Sequence, residues 1–213
     1  MTGLSVALAW LAAVAAGLAS VHVHESILRP DEGGRKKGLW ADRAAIGFAF
    51  LLGGASASAV FDDPLAGAAA AAALAAGTAA VILDFRVGLT PDLSSALIAL
   101  SGLVAAQRIN PALGWLDMGL GAATAAGVLG LASAYVKVRR GAAGLGSGDI
   151  GLAAALGVWC GPAAAALAVA LAAVFTIAAA LVRGAGPSDR LAFAPGLAAG
   201  FLSVIVWNAS WLA

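Results

Sequence analysis

The chain has 213 residues, of which 62% are hydrophobic and 11% are charged, and its formal net charge is +1 at pH 7. A soluble domain carries about 25% charged and about 45–50% apolar residues, so these values exclude a water-soluble surface and indicate an integral membrane protein surrounded by lipid. The near-neutral charge does not indicate a nucleic-acid partner. A single cysteine, Cys160, excludes an internal disulfide, and we expect it to serve packing.

Eight apolar segments are candidates for membrane-spanning helices, which need about 20 residues with a range of about 17–25. They cover residues 3–21, 44–61, 65–83, 93–107, 115–136, 150–166, 167–182 and 197–213. The first lacks a basic flank and a small-residue cleavage site, so we expect a retained helix rather than a signal peptide. The run 150–182 is too long for one span, and "CGP" at 160–162 divides it. The predicted fold is all-α, a polytopic membrane helix bundle of about eight transmembrane helices, with seven as the alternative.

The basic residues predict the orientation of these helices. If the loop at 22–43 is cytoplasmic and the helices alternate, eleven of the twelve Lys and Arg residues face the cytoplasm and only Arg108 lies outside. The predicted location is therefore the cytoplasmic (inner) membrane, where the basic loops also meet anionic lipid headgroups. The outer connections at 62–64 and 109–115 are short, so we expect any chemistry at the cytoplasmic face.

Two aspartates stand at the predicted cytoplasmic ends of apolar segments. Asp84 ends "AAVILD", and Asp149 follows "GLGSG" and begins the next apolar run. An ionised carboxylate within the bilayer costs about 2.5–3.5 kcal/mol, which favours a functional interpretation. Two such groups held together share one proton, so that one accepts a proton from water while the other donates to a carbonyl oxygen. Such an acid–base pair of carboxyl groups is what an aspartyl protease uses. The alternatives are that Asp149 is an ordinary helix N-cap and that Asp84 marks a helix end.

Further polar residues have simpler interpretations. Gly146 and Gly148 lack a Cβ, so their backbone lets an extended peptide approach the carboxylates. Asp92, after Pro91, is either a helix N-cap or a third acidic participant. Asp117 is predicted to be structural, because it lies at the outer end of its helix. No metal site is expected, and His22 and His24 are predicted to be interfacial. The remaining acidic residues are expected to be solvated: Glu25, Asp31, Glu32, Asp42, Asp62, Asp63 and Asp189.

Three stretches together resemble the type IV prepilin peptidase family of membrane aspartyl proteases. The first is "LDFRVGLTPDLSSALIALSGL", which aligns Asp84, Pro91 and Asp92 with the first motif of the family. The second is "GSGD" followed by "IGLAAALGVWCGP", which matches its G-x-G-D motif at Asp149. A weaker third match is "LAFAPGLAAGFLSVIVW" at 191–207, so the resemblance covers roughly residues 70–207.

This resemblance implies a function for the whole chain. Asp84 and Asp149 would be the catalytic pair, supported by Gly146, Gly148, Pro91 and Asp92, in a single membrane-embedded peptidase domain over residues 1–213. The substrate would be the basic leader of a type IV prepilin or pseudopilin, cleaved at the cytoplasmic face without metal or other cofactor. The alternatives are a catalytically silent scaffold of a pilus or secretion system and an ion-coupled transporter. The sequence does not indicate the oligomeric state.

The chain departs from the family in three places, one of which is the stretch "VHVHESILRP", where the N-terminal pattern of the family is barely recognisable. The lysine that usually follows the G-x-G-D aspartate by two positions is Gly151 here. Larger members carry an insertion with Cys-x-x-Cys pairs after the first helix, whereas the loop at 22–43 contains no cysteine. That insertion is associated with methylation of the new N-terminus, so methyltransferase activity stays open.

Overall fold

A computed structural model of the protein describes residues 45–47, 63–141, 145–184 and 191–210. The predicted helix at 3–21, most of that at 44–61, and the loop at 22–43 with both histidines lie outside the described residues. From residue 63 onward the described chain forms six helices, numbered here in chain order: α1 Pro64–Val87, α2 Asp92–Ile109, α3 Trp115–Arg140, α4 Ser147–Gly157, α5 Gly161–Val182 and α6 Ala194–Ser210. The predicted all-helical architecture is confirmed for this part of the chain.

Local signals explain where α1 begins and ends. The Asp63 carboxylate accepts the Leu65 backbone N–H at 2.9 Å, and Pro64 occupies the first helical position, where a missing N–H does no harm. The helix ends at Gly88, whose φ of 67° lies in the left-handed region that glycine adopts without steric cost. Its alanine-rich middle is buried, so neighbouring helices approach closely.

The helices pack as a ring in the order α1, α2, α4, α3, α5, α6, and α6 returns to α1. The short α4 also contacts α5 and α6, so it lies towards the inside of the ring. The largest buried apolar cluster includes Leu152 of α4, Val169 of α5 and Phe201 of α6. These contacts bring α4 against α2 and α6, the helices on either side of α1.

Glycines permit two of the closest helix crossings. A Cβ added to Gly121 of α3 would collide with the carbonyl oxygen of Gly157 at the end of α4. A Cβ added to Gly200 of α6 would collide with the carbonyl oxygen of Ala168 in α5. Lipid is as apolar as the helix surfaces, so hydrophobic burial does not drive helices together in a membrane. Small residues promote their association instead, because they allow close van der Waals packing. They fix α4 and α6 against the longer helices.

The structure corrects the predicted division of residues 150–182. The break falls at 158–160 and α5 begins at Gly161, so the predicted interruption at "CGP" is confirmed, whereas the boundary between the predicted spans 150–166 and 167–182 is wrong. Pro162 at the second position of α5 explains this, since proline is tolerated in the first turn of a helix and not in its interior. At about 1.5 Å per residue, α4 is about 16 Å long, shorter than the roughly 30 Å of a bilayer core.

Three of the described helices are long and apolar enough to cross a membrane: Pro64–Val87, Trp115–Arg139 and Gly161–Val182. The segment Ala194–Val204 of α6 is apolar but shorter. The number of eight transmembrane helices is therefore not confirmed, whereas an all-helical bundle with three candidate membrane spans is.

Candidate active site

Asp84 lies in the last turn of α1 and is buried, with 8% of its surface exposed. Its Oδ2 accepts the backbone N–H of Ala194 at 2.8 Å, across 110 residues of sequence. Ala194 is the first residue of α6. Helix N-termini carry unpaired N–H groups and a partial positive charge, so this contact stabilises negative charge on the Asp84 carboxylate.

Asp149 lies in the first turn of α4 and is half-buried. Its Oδ1 accepts a hydrogen bond from the Thr90 hydroxyl at 3.0 Å. Burial raises the pKa of Asp149 above its usual 3.8, and the nearby charge of Asp84 raises it further. Hydrogen bonds from Thr90 and the Gly146 backbone act in the opposite direction and are outweighed. Asp149 therefore holds a proton more strongly than an ordinary aspartate does.

These contacts bring four segments of the chain to one end of the bundle. They are the end of α1, the loop from Gly88 to Pro91, the first turn of α4 and the first turn of α6. The Asp84–Asp149 end, as we call this region, is polar at the carboxylates and open at Gly146 and Ser147, which are exposed. Water therefore has access from the Asp149 side, and Asp84 keeps 8% of its surface exposed.

The glycines of "GSGD" differ in their surroundings. A Cβ added to Gly148 would lie 2.6 Å from the Thr90 carbonyl oxygen and 2.9 Å from the Thr90 Cβ, closer than real Cβ contacts. A Cβ added to Gly146 would meet the Asp149 Oδ2 at 3.7 Å, an ordinary contact. The close approach at Gly148 is thus made by the protein's own loop. Room for a substrate peptide at these glycines stays a prediction.

Asp149 and Asp92 both stand at helix starts, as predicted, but neither is the N-cap residue itself. The N-cap of α4 is Gly146, and Asp149 lies three positions further along in the first turn. The N-cap of α2 is Pro91, whose φ of −68° and ψ of 134° are extended, and Asp92 is the first helical residue and exposed. Asp92 is nevertheless well placed at a helix N-terminus, where negative charge is favourable. Its predicted participation in the site stays a prediction.

The opposite end of the bundle, which we call the Asp63–Arg108 end, also contains carboxylates. Asp63 caps α1 and accepts a hydrogen bond from Arg108 at 2.8 Å, so the prediction that it is merely solvated is wrong. Asp117 accepts the Gly114 backbone N–H at 3.0 Å at the start of α3, in agreement with its predicted structural role. A cavity of about 420 Å³, lined in part by Asp117, Cys160 and Leu167, also lies at this end.

Two residues of the Asp84–Asp149 end are not identified by the sequence interpretation. Thr90 stands immediately before Pro91 within the first motif, so its position draws attention, but nothing local indicates that its partner is 59 residues away. Ala194 precedes Pro195, a pair typical of a helix start, yet its partner is 110 residues away. Within the described residues, no three His, Cys, Asp or Glu side chains are grouped so that they could hold a metal ion.

Comparison with known families decides the identity. The sequence model of the type IV leader peptidase family matches residues 69–181, more than half of the chain. The chain belongs to the type IV leader peptidase family. This match contains both Asp84 and Asp149, with the Thr90 loop between them, and it stops before α6. The protein is therefore a membrane protease of the leader peptidase type. No curated protein and no solved structure matches the chain.

Proposed function

We propose that this leader peptidase is an aspartyl endopeptidase with Asp84 and Asp149 as its catalytic pair, and that it removes the basic leader from type IV prepilins or pseudopilins. The observation that carries the proposal is the placement of both carboxylates at one end of the bundle, close enough for the charge of Asp84 to act on Asp149. Membership of the family supports the substrate class.

The surroundings of the two carboxylates support different roles. We assign Asp84 the role of the base, because the Ala194 N–H and the start of α6 stabilise negative charge on its carboxylate. Asp149 keeps the shared proton and is the acid. A proton on Asp149 belongs on Oδ2, because Oδ1 accepts the Thr90 hydroxyl. The two side chains together then provide a base and an acid on either side of one water molecule.

Hydrolysis proceeds from this arrangement in two steps. Asp84 takes a proton from water, the water oxygen bonds to the scissile carbonyl carbon, and Asp149 gives its proton to the carbonyl oxygen. In the second step the amide nitrogen receives a proton from Asp84, the C–N bond breaks, and the hydroxyl proton returns to Asp149. The pair ends in its initial protonation state, and no covalent intermediate forms.

The distribution of basic residues supports cleavage at the cytoplasmic face. Lys and Arg concentrate in cytoplasmic loops of membrane proteins. Among the Lys and Arg residues that the structure describes, Arg108 lies at the Asp63–Arg108 end, and the other five lie at the Asp84–Asp149 end: Arg86, Lys137, Arg139, Arg140 and Arg183. The Arg183 guanidinium lies 4.4 Å from the centre of the Phe85 ring, which places the ends of α1 and α5 together.

The test is cleavage of a co-expressed prepilin by Asp84→Asn and Asp149→Asn, followed as a gel shift. Asparagine preserves shape but cannot exchange the proton, so neither variant should release mature pilin. Asp117→Asn is the matched control, since its carboxylate caps α3 at the other end, and it should cleave normally. Processing at the wild-type rate by either site variant would contradict the two-aspartate mechanism and favour a silent scaffold.

A further inference from the structure

We infer that Thr90 is a positioning residue for the proposed acid, holding the Asp149 carboxyl so that Oδ2 is the oxygen that carries and delivers the proton. This inference rests on the proposed function. The Thr90 hydroxyl donates to Asp149 Oδ1 at 3.0 Å and thereby occupies that oxygen. The Gly146 backbone also bonds to this carboxyl, and the Thr90 hydroxyl adds the contact that further restricts its rotation about the Cβ–Cγ bond.

The loop that carries Thr90 is restricted at both sides. Gly88 takes the left-handed conformation with φ 67°, and its backbone N–H bonds back to the Asp84 carbonyl oxygen at 2.9 Å. Pro91 fixes its own φ near −68° and restricts Thr90, the residue before it, to extended conformations. Thr90 is therefore held at a defined distance from Asp84, six residues earlier in the chain.

Gly148 completes the arrangement from the other side. Its missing Cβ lets the Thr90 backbone and Cβ pack directly onto the first turn of α4. Asp149 is the next residue, so the contact sets the separation between the Thr90 hydroxyl and the carboxyl it serves. Threonine is also suited to the position, because a β-branched side chain has few χ1 rotamers to lose. The contact therefore fixes the position of the Thr90 loop relative to the first turn of α4.

The Thr90 hydrogen bond also affects the pKa of Asp149, which a purely structural role of Thr90 in packing would not change. Among the described residues, Asp84 of α1 is the charged group whose field acts on Asp149. The Thr90 hydrogen bond favours the charged form of Asp149 and lowers its pKa against burial and Asp84. Removing the hydroxyl therefore raises the pKa of Asp149, and the proton is lost at a higher pH.

The experiment compares Thr90→Val, Thr90→Ser and wild type in prepilin cleavage across pH. Valine keeps the shape of threonine and deletes the donor, so kcat should fall roughly two- to ten-fold, the effect of losing a hydrogen bond to a neutral carboxyl group. KM should stay the same, and the alkaline limb of the pH profile should move to higher pH. Serine keeps the donor and should restore most of kcat and the position of that limb.

Thr78→Val is the matched control, because the Thr78 hydroxyl bonds only within α1, to the Leu74 carbonyl oxygen at 2.8 Å. It should leave kcat and the pH profile unchanged. Wild-type kcat and profile in Thr90→Val would overturn the inference, and so would an activity loss that leaves the alkaline limb in place and that serine fails to rescue. Activity in Asp149→Asn would instead contradict the proposed function itself, so the two failures are distinguishable.

Discussion

The two ends of the helix bundle use carboxylates in different ways. At the Asp63–Arg108 end, Asp63 and Asp117 bond to backbone N–H groups two and three residues away, so each stabilises the start of its own helix, and Asp63 pairs in addition with Arg108 at the surface. At the Asp84–Asp149 end, Asp149 accepts one comparable local bond from the Gly146 backbone, but Asp84 and Asp149 also have partners that lie 110 and 59 residues away. Local bonds cap helices, whereas the distant bonds can form only when the whole bundle has assembled.

The pKa shifts at the two ends have opposite signs. Burial alone would raise the pKa of Asp63, but hydrogen bonds from Arg108, Leu65 and Ala66 and the Arg108 charge leave it below 3.8. Burial and Asp84 raise the pKa of Asp149. Ionisation of Asp63 therefore favours the folded state, whereas ionisation of Asp149 opposes it. A group whose charged form opposes folding is typical of a functional site.

Among variants that keep both aspartates, the largest expected effect is that of Gly148→Ala. The added Cβ would lie 2.6 Å from the Thr90 carbonyl oxygen, so the loop and the first turn of α4 must separate. Displacing a reacting group by about 1 Å costs on the order of a hundred-fold in rate, and we expect a loss of that size in steady-state cleavage. Gly127→Ala in α3 is the control, since nothing lies within 4 Å of its added Cβ. Equal activity of the two variants would mean that the contact does not position Asp149.

A smaller loss is expected from Ala194→Pro, which deletes the N–H that Asp84 accepts. Proline is tolerated at the first position of a helix, so α6 should still form. We expect cleavage to fall roughly ten-fold or more, because a hydrogen bond to a charged group is lost. Ala194→Gly keeps the N–H and should be more active than the proline variant. If Ala194→Pro cleaves as fast as wild type, α6 has no part in holding Asp84.

The sequence predicts the helices and the two key aspartates, but not the residues that these aspartates contact. Helix positions from α1 to α3 follow from the apolar runs and from stop signals such as Gly88, and Asp84 and Asp149 stand out because charge at the edge of an apolar run is costly. The break between α4 and α5 is marked by "CGP", but the boundary between the two predicted spans is placed too late, because no charged residue marks it within the apolar run. The partners of the two aspartates are not predictable either, because Thr90 and Ala194 become neighbours only through the ring order of the helices.

The smallest expected effect belongs to Asp63→Asn, which keeps a capping oxygen but removes the charge paired with Arg108. Because Arg108 is exposed by 42%, we expect a loss of only about 0.5 kcal/mol of stability near neutral pH. A lowered pKa means that the contribution of Asp63 is present above pH 3.8 and is lost as pH falls through the folded-state pKa. Thermal unfolding in detergent should therefore separate wild type from the variant at pH 7 and not at strongly acidic pH.

Prepilin cleavage by Asp63→Asn tests whether the two ends of the bundle act independently. The carboxylate caps α1, and about 36 Å of helix separates the start of α1 from its end, far beyond a Debye length of about 8 Å at physiological salt. Cleavage should therefore match wild type once folded protein is equalised. A reduced kcat with an unchanged amount of folded protein would mean that the Asp63–Arg108 pair sets the position of α1 and, through it, of Asp84. The two ends would then act as one unit, and the contrast between local caps and an assembled site would not hold.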